Sequence, residues 1–119
     1  MTPAVVRARD LRALLAHYRW VLGFELLQEV AGMLAIVRRG NLLLQLWQGR
    51  AHGPQVCAVP LDGEACVFRL HAELAAVARS ALVEDAPRLR AWGAWEFSLC
   101  DPQGNRLVFS QWAVRGAEA

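Results

Sequence analysis

Side chains able to do acid–base chemistry or bind a metal are few and widely spaced in this chain of 119 residues. The three histidines are His17, His52 and His71. Each falls in a predicted helix or loop, so a solvated surface position is the simplest interpretation. Glu96 is the acid expected on the wall of a binding site, and a lone carboxylate is weak support for catalysis.

The three cysteines form no CxxC pattern and are Cys57, Cys66 and Cys100. Their odd number and wide spacing favour reduced thiols over a disulfide framework. Nucleophilic catalysis would need a hydroxyl or thiol paired with a base, and the sequence suggests no such pair. Cys100 is interpreted as a small buried residue at the end of a strand.

Composition indicates one globular domain, 1–119, long enough to bury a core, because 55% of its residues are hydrophobic. All 13 basic residues are arginine, yet the net charge is +2 and no basic run exceeds two residues. Nucleic-acid binding is therefore not expected. No apolar run approaches the roughly 18 residues of a membrane span, and no signal segment is evident, so we expect a cytoplasmic protein.

The first half of the chain is predicted to form a strand, a helix and three strands. The strands are predicted over 4–8, 24–30, 33–39 and 42–48. The helix has apolar residues at the spacing of one face, at Leu11, Leu14, Leu15, Tyr18, Val21 and Leu22. Asp10 is a suitable N-cap, Gly23 can end the helix, and Gly40-Asn41 is typical of a hairpin turn.

The second half repeats this order after a Gly- and Pro-rich linker at about 51–63. Strands are predicted over 65–70, 95–101 and 106–112, with a poor edge strand over 82–89 that Pro87 interrupts. A helix is predicted over 72–82, with its apolar face at Leu74, Val77, Ala78, Ala81 and Leu82. The chain is thus interpreted as a βαβββ unit that occurs twice, with module one at about 1–50 and module two at about 64–114.

The segment DPQGN, between the last two strands, is predicted to be a tight turn. Asp101 can accept backbone N–H groups, Pro102 presets φ, and Gly104 allows a positive φ. Such a turn would fix the register of the two strands that it joins.

Each helix would cover one face of its sheet and leave the other, here called the cup face, to line a cavity or meet a partner. Strand alternation predicts polar and aromatic side chains there, at Gln45, Trp47, Arg69, Glu96 and Arg106. Such a mixture is typical of small-molecule sites, since tryptophan can stack on planar rings. Two alternatives stay open, because Trp47 could serve packing and Arg69 could form a structural ion pair with Glu96.

Three segments in order carry a resemblance to a known family: ARDLRALLAHYRWVLGFEL, GMLAIVRRGNLLLQLW and WGAWEFSLCDPQGNRLVF. They resemble the glyoxalase / bleomycin-resistance / extradiol-dioxygenase superfamily, also called vicinal oxygen chelate proteins. The string WG-x2-EF-x3-DP-x-GN is most similar to the bleomycin-resistance proteins. The resemblance covers roughly residues 3–113 and implies an α+β fold in which two βαβββ modules form U-shaped mixed sheets, with helices outside. It also implies a homodimer.

The resemblance adds Trp92 to the candidate ligand contacts, because bleomycin-resistance proteins use a stacking aromatic residue there. Enzymes of the superfamily bind a divalent metal through His, Glu or Gln on four strands. Those positions are expected near Pro3, at Gln45, near Ala65 or Cys66, and at Val108. Gln and Cys alone do not supply the three or four ligands of usual sites, so we expect no metal, no cofactor and no catalytic residue.

The predicted function is metal-independent binding and sequestration of a small aromatic or planar molecule, similar to antibiotic-resistance proteins of the bleomycin type. Nucleic acid and membrane are not expected partners. The slight positive charge, with Arg69 and Arg106 near the cup, favours a neutral or anionic ligand over cationic bleomycin. Two alternatives remain, which are a metal-dependent lyase or dioxygenase of the same superfamily and a dimeric module without a small ligand.

Overall fold

The computed structural model describes residues 4–49, 55–61 and 66–113, which form two four-stranded sheets, each with an α-helix on one face. The first module contains β1 Ala4–Ala8, α1 Leu11–Trp20, β2 Glu25–Val30, β3 Leu34–Arg39 and β4 Leu42–Gln48. The second contains β5 Val56–Pro60, α2 Val67–Ala78, β6 Arg88–Leu89, β7 Ala94–Cys100 and β8 Arg106–Trp112. The predicted α+β fold of two βαβββ modules is confirmed.

Both sheets have the same order, β1-β4-β3-β2 and β5-β8-β7-β6. The pairs β1–β4 and β5–β8 are parallel, whereas the remaining pairs are antiparallel, so each sheet is mixed. None of the helices in the described residues is long and apolar enough to cross a membrane.

Local sequence explains the first module. The Asp10 carboxylate accepts the backbone N–H of Ala13 at 3.1 Å, which caps the start of α1 as predicted. Gly23 has a φ of 81° just after the helix, a conformation that favours glycine. Along β4, Leu44 and Leu46 are fully buried while their neighbours are half-buried or exposed, which confirms the predicted alternation.

The start of the second module differs from the sequence prediction. Residues 66–70 do not form the predicted strand, because α2 begins at Val67, and the segment predicted as a linker contains β5. The strand VCAVP buries Cys57 and Val59 on one face, and its proline is tolerated because β5 lies at the sheet edge.

The buried face of α2 also differs from the predicted one. It consists of Val67, His71 and Leu74, whereas Val77 is 55% exposed. The interpretation of His71 as a surface residue was therefore wrong. Its Nε2–H donates to the carbonyl oxygen of Glu84 at 2.9 Å, and its ring lies edge-on to Phe97. The expectation that Cys100 is buried was also wrong, since it is exposed.

The two modules meet at β1 and β5, where the backbone N–H of Arg7 donates to the side-chain oxygen of Gln55 at 3.0 Å. A second contact, here called the tyrosine junction, joins α1 to the β7–β8 turn. In it the Tyr18 hydroxyl donates to the Asp101 carboxylate at 3.0 Å. The same carboxylate accepts the backbone N–H groups of Gln103 and Asn105 and the side-chain N–H of Asn105. The predicted DPQGN turn is confirmed, with a φ of 85° at Gly104.

A third contact, here called the arginine junction, joins the β3–β4 turn to α2. Arg39 pairs with the Glu73 carboxylate at 2.5 Å, and its Nε–H donates to the carbonyl oxygen of Leu22 at 3.1 Å. The side chains of Arg39 and Glu73 are 21% and 44% exposed, so water reaches this ion pair. Each module thus contacts the helix of the other through the turn between its last two strands.

Candidate functional site

The cup face of the first sheet is built around Trp47 on β4. Trp47 lies opposite Leu34 of β3, and Gln45 lies opposite Ile36. All four side chains are half-buried. The indole N–H of Trp47 donates to the side-chain oxygen of Gln45 at 2.8 Å, which restrains the ring. This face therefore offers a flat aromatic surface with an apolar border.

The cup face of the second sheet carries charge. Glu96 and Arg106 lie on the side of β7 and β8 opposite the buried Phe97, as strand alternation predicts. Arg90 donates from Nε to the Glu96 carboxylate at 3.2 Å and from a terminal nitrogen to the Glu84 carboxylate at 3.4 Å. The guanidinium of Arg106 lies 4.0 Å from the same Glu84 carboxylate. Two arginines thus share two carboxylates at this face.

Glu84 is the member of this cluster that sequence reasoning did not identify. It is buried, and its carboxylate accepts the backbone N–H of Ser98 at 2.7 Å. The strand that pairs with β7 is interrupted around Pro87, so no backbone carbonyl of that strand accepts the N–H of Ser98. The Glu84 carboxylate accepts it instead. The signal available in the sequence was that Glu84 lies close before Pro87, which interrupts the strand.

Arg69 does not lie on a cup-face strand. It is exposed on α2, because residues 67–70 of the predicted strand are instead the start of this helix. The alternative ion pair between Arg69 and Glu96 was also wrong, since Glu96 pairs with Arg90. Of the six candidate ligand contacts, Gln45 and Trp47 share one cup face, and Glu96 and Arg106 share the other.

Trp92 lies in the turn between β6 and β7 and is 61% exposed. Trp112, at the end of β8, is 64% exposed, and a Cβ at Gly93, the neighbour of Trp92, would lie 3.9 Å from its ring. Trp20, at the end of α1, is 74% exposed. These three tryptophans are not part of the core. The guanidinium of Arg19 lies over the Trp20 ring, 4.6 Å from its centre.

The residues at the superfamily's metal positions do not fit a divalent metal. The strand register pairs Gln45 with Val5 on β1 and Val108 with Ala58 on β5. The positions predicted near Pro3 and near Ala65 or Cys66 therefore move to Val5 and Ala58, whose side chains cannot coordinate. Pro3 and Ala65 themselves lie outside the described residues.

No three His, Cys, Asp or Glu side chains in the described ranges are grouped so as to hold a metal. The amide oxygen of Gln45 also accepts the indole N–H of Trp47, so it is already engaged. Three apolar side chains and one amide lack the carboxylate or imidazole ligands that such sites use.

The Asp101 carboxylate affects the pKa of three groups near it on the buried side of the sheets. Burial and the nearby Asp101 carboxylate raise the pKa of Tyr18 well above its ordinary value of 10.0. The same two causes raise the pKa of the Cys57 thiol. Burial lowers the pKa of His17, and Asp101 partly opposes this shift. All three groups are neutral near pH 7 and lie in the tyrosine junction or next to it.

Comparisons with solved structures place the fold. A bleomycin resistance determinant encoded on the transposon Tn5 has a TM-score of 0.72 and 24% identity, over 96% of this chain and 98% of that one. A bleomycin-binding protein from Streptomyces verticillus, complexed with copper(II)-bleomycin, has a TM-score of 0.67 and 23% identity, over 91% and 92%. Lactoylglutathione lyase from Agrobacterium tumefaciens has a TM-score of 0.65 and 21% identity, over 93% and 92%.

No protein-family model and no curated protein sequence matches the chain. Because the solved structures match over nearly the whole chain, the predicted resemblance to glyoxalase, bleomycin-resistance and dioxygenase proteins is confirmed at the level of the fold. One fold hosts several functions, so the function has to be argued from the site.

Proposed function

We propose that this protein binds and sequesters a small aromatic or planar molecule in a cup that two copies of the chain form together, without turnover and without a metal. The observation that carries the proposal is the contrast between the two cup faces. One presents the restrained indole of Trp47, and the other presents arginines and carboxylates on β7, β8 and the neighbouring loop. A site that joins an aromatic wall to a few polar groups suits a planar ligand with a polar substituent.

A homodimer is supported by apolar side chains that a single chain leaves uncovered on its cup faces. Val5, Val30 and Leu43 on the first sheet are 36%, 41% and 37% exposed, and Val56 on the second is 69% exposed. Apolar groups gathered on one face are typical of surfaces that meet a partner. In a dimer of this kind, the aromatic face of one copy would meet the charged face of the other.

Charge favours a neutral or anionic ligand. Arg106 is 45% exposed on its side chain and lies 4.0 Å from its nearest carboxylate, so its guanidinium can still bind a ligand oxygen. Bleomycin-type ligands are cationic and would meet arginine at this face. The solved structures with bound bleomycin support binding as the general function, and the arginines support a different ligand.

The lyase structure among the comparisons keeps an enzymatic alternative in view. Native mass spectrometry of protein purified without chelator separates the two functions. We expect a dimer without bound metal, and a divalent metal bound at each cup would favour the enzyme.

Substitution of Trp47 tests the binding proposal directly. We expect Trp47→Ala to weaken binding of a naphthalenesulfonate by about 10-fold or more, because stacking on an aromatic residue contributes about 1–3 kcal/mol. Isothermal titration calorimetry measures the affinity. Trp20→Ala is the matched control, since Trp20 is exposed on α1 and should leave the affinity unchanged. Equal affinities of the two variants would contradict the proposal.

A further inference from the structure

A cavity of about 260 Å³ lies at the arginine junction, on the helix side of the sheets and away from both cup faces. Its lining includes Asn41, Leu42, Leu61, Cys66, Arg69 and Leu70. Arg39 and Glu73 line it as well, so the described part of the lining contains two arginines and one carboxylate. The volume is enough for a small organic molecule and close to the lower limit of usual ligand pockets.

The tyrosine junction is the counterpart of the arginine junction, since it joins the β7–β8 turn to α1 as the arginine junction joins the β3–β4 turn to α2. The turns share a Gly-Asn pair, Gly40-Asn41 and Gly104-Asn105. Asn105 donates to the buried carboxylate of Asp101, which also receives the hydroxyl of Tyr18, the eighth residue of α1. A carboxylate therefore fills the space between turn and helix in this junction.

Among the described residues, the arginine junction has no such carboxylate in its interior. The eighth residue of α2 is Leu74, which has no hydroxyl, and the shorter β3–β4 turn has Arg39, the last residue of β3, directly before its Gly-Asn pair and no acid beside it. Glu73 pairs with Arg39 and is 44% exposed. Among the described residues, the side chains of Asn41 and Arg69 have no hydrogen-bond or ion-pair partner, and both line the cavity.

We propose that this cavity is a second binding site, distinct from the cup, for a small carboxylate with a compact apolar body. The ligand carboxylate takes the place that Asp101 has in the tyrosine junction, and Arg69 and Asn41 donate to it. A guanidinium donates two parallel N–H groups to a carboxylate, which makes arginine well suited to this class of ligand. The apolar body packs on the three leucines of the lining, Leu42, Leu61 and Leu70.

The cysteines supply an internal test. Cys66 lines the cavity, whereas Cys100 is exposed at the end of β7, on the cup side. The rate of alkylation by iodoacetamide at each thiol can be measured by peptide mass spectrometry with increasing hexanoate. We expect hexanoate to slow alkylation of Cys66 in a saturable way and to leave Cys100 unchanged. Hexanamide, which has the same shape and no charge, should protect Cys66 far less.

Two exposed arginines give a matched pair of variants. Arg69→Gln should raise the hexanoate concentration for half-protection by about 10-fold, as expected for loss of a charged hydrogen bond. Arg79→Gln, beyond the end of α2, should leave it unchanged. The proposal is wrong if Cys66 is unprotected up to about 10 mM hexanoate, well above the Kd of roughly 1 mM for weak binding. Equal protection by hexanamide, or no effect of Arg69→Gln, would also overturn it.

Discussion

The tyrosine and arginine junctions join the same kinds of element, a turn and a helix, yet they use different chemistry. In the tyrosine junction a carboxylate that is 6% exposed accepts four hydrogen bonds from three residues. In the arginine junction an ion pair lies beside a cavity, with one partner nearly half exposed.

The comparison shows that equivalent contacts in two copies of a repeated unit can contribute very differently to stability. A buried carboxylate is tolerable when each of its lone pairs has a donor, and it then becomes costly to disturb. A solvated ion pair contributes little, because water screens it and its long side chains lose conformational freedom. One junction therefore holds a buried carboxylate with all its donors, and the other has a solvated ion pair beside a cavity.

Removal of Asp101 should have the largest effect on stability. Asp101→Ala leaves the Tyr18 hydroxyl and the N–H groups of Gln103 and Asn105 without their acceptor. We expect a loss of about 3 kcal/mol in the free energy of unfolding, measured by urea denaturation. Asp85→Ala, at an exposed position, is the control and should change little. A loss below about 1 kcal/mol would remove the contrast between the junctions.

Tyr18 should have the next largest effect, and it adds a pH dependence. Tyr18→Phe should cost about 1 kcal/mol at pH 7 through loss of one hydrogen bond. Because the folded-state pKa of Tyr18 is raised, the folded protein keeps the proton at a pH where the unfolded chain releases it. This contribution is complete below pH 10.0 and is lost as the pH rises above that value.

Denaturation curves of the wild type and Tyr18→Phe between pH 8 and 11 measure this pH dependence. Stability of the wild type should fall more steeply at the alkaline end, and since Cys57 is common to both proteins its raised pKa cancels in the difference. Tyr18 is the one tyrosine of the sequence, so its ultraviolet absorbance reports its ionisation directly. Parallel pH profiles would show that burial does not hold the tyrosine proton.

The smallest effect is expected at the arginine junction. Glu73→Gln removes the ion pair with Arg39 and should change the free energy of unfolding by less than about 1 kcal/mol. The difference from the wild type should shrink further at about 1 M salt, because salt screens ion pairs that water reaches. A larger loss of stability in Glu73→Gln, or a loss that salt does not change, would mean that both junctions stabilise the fold in the same way.

Local patterns in the sequence were enough for most of the first module. In β4, alternation of buried leucines with Leu43, Gln45 and Trp47 specifies a strand with one covered face, and the structure has the same bounds. The Asp10 cap and the DPQGN turn depend on neighbours within a few residues, so they too could be predicted.

The sequence was less informative where burial depends on distant partners. The apolar spacing of α2 includes His71, a polar residue whose burial requires the carbonyl oxygen of Glu84. Because the sequence does not show that this carbonyl lies near His71, the buried face of α2 was not recognised, and the helix was predicted to begin five residues late. β5 was hidden by flanking Gly and Pro residues, which are typical of loops.

The same reason explains what was missed at the site. Glu84 is buried because Ser98, 14 residues further along the chain, presents an unpaired N–H. The error at β5 also moved Arg69 onto a cup face in the prediction, since a helix and a strand distribute the same side chains differently. Gln45 and Trp47, on a strand with clear alternation, were placed correctly.

The hydrogen bond from Tyr18 to Asp101 joins residues 83 positions apart in the chain. Most other pairings lie within one module, so each module can collapse by closing short loops, whereas this contact requires both modules to be present. An interaction that forms late in folding affects the rate of unfolding more than the rate of folding. We therefore expect the tyrosine junction to slow unfolding more than it speeds folding, and so to set how long the paired modules stay together.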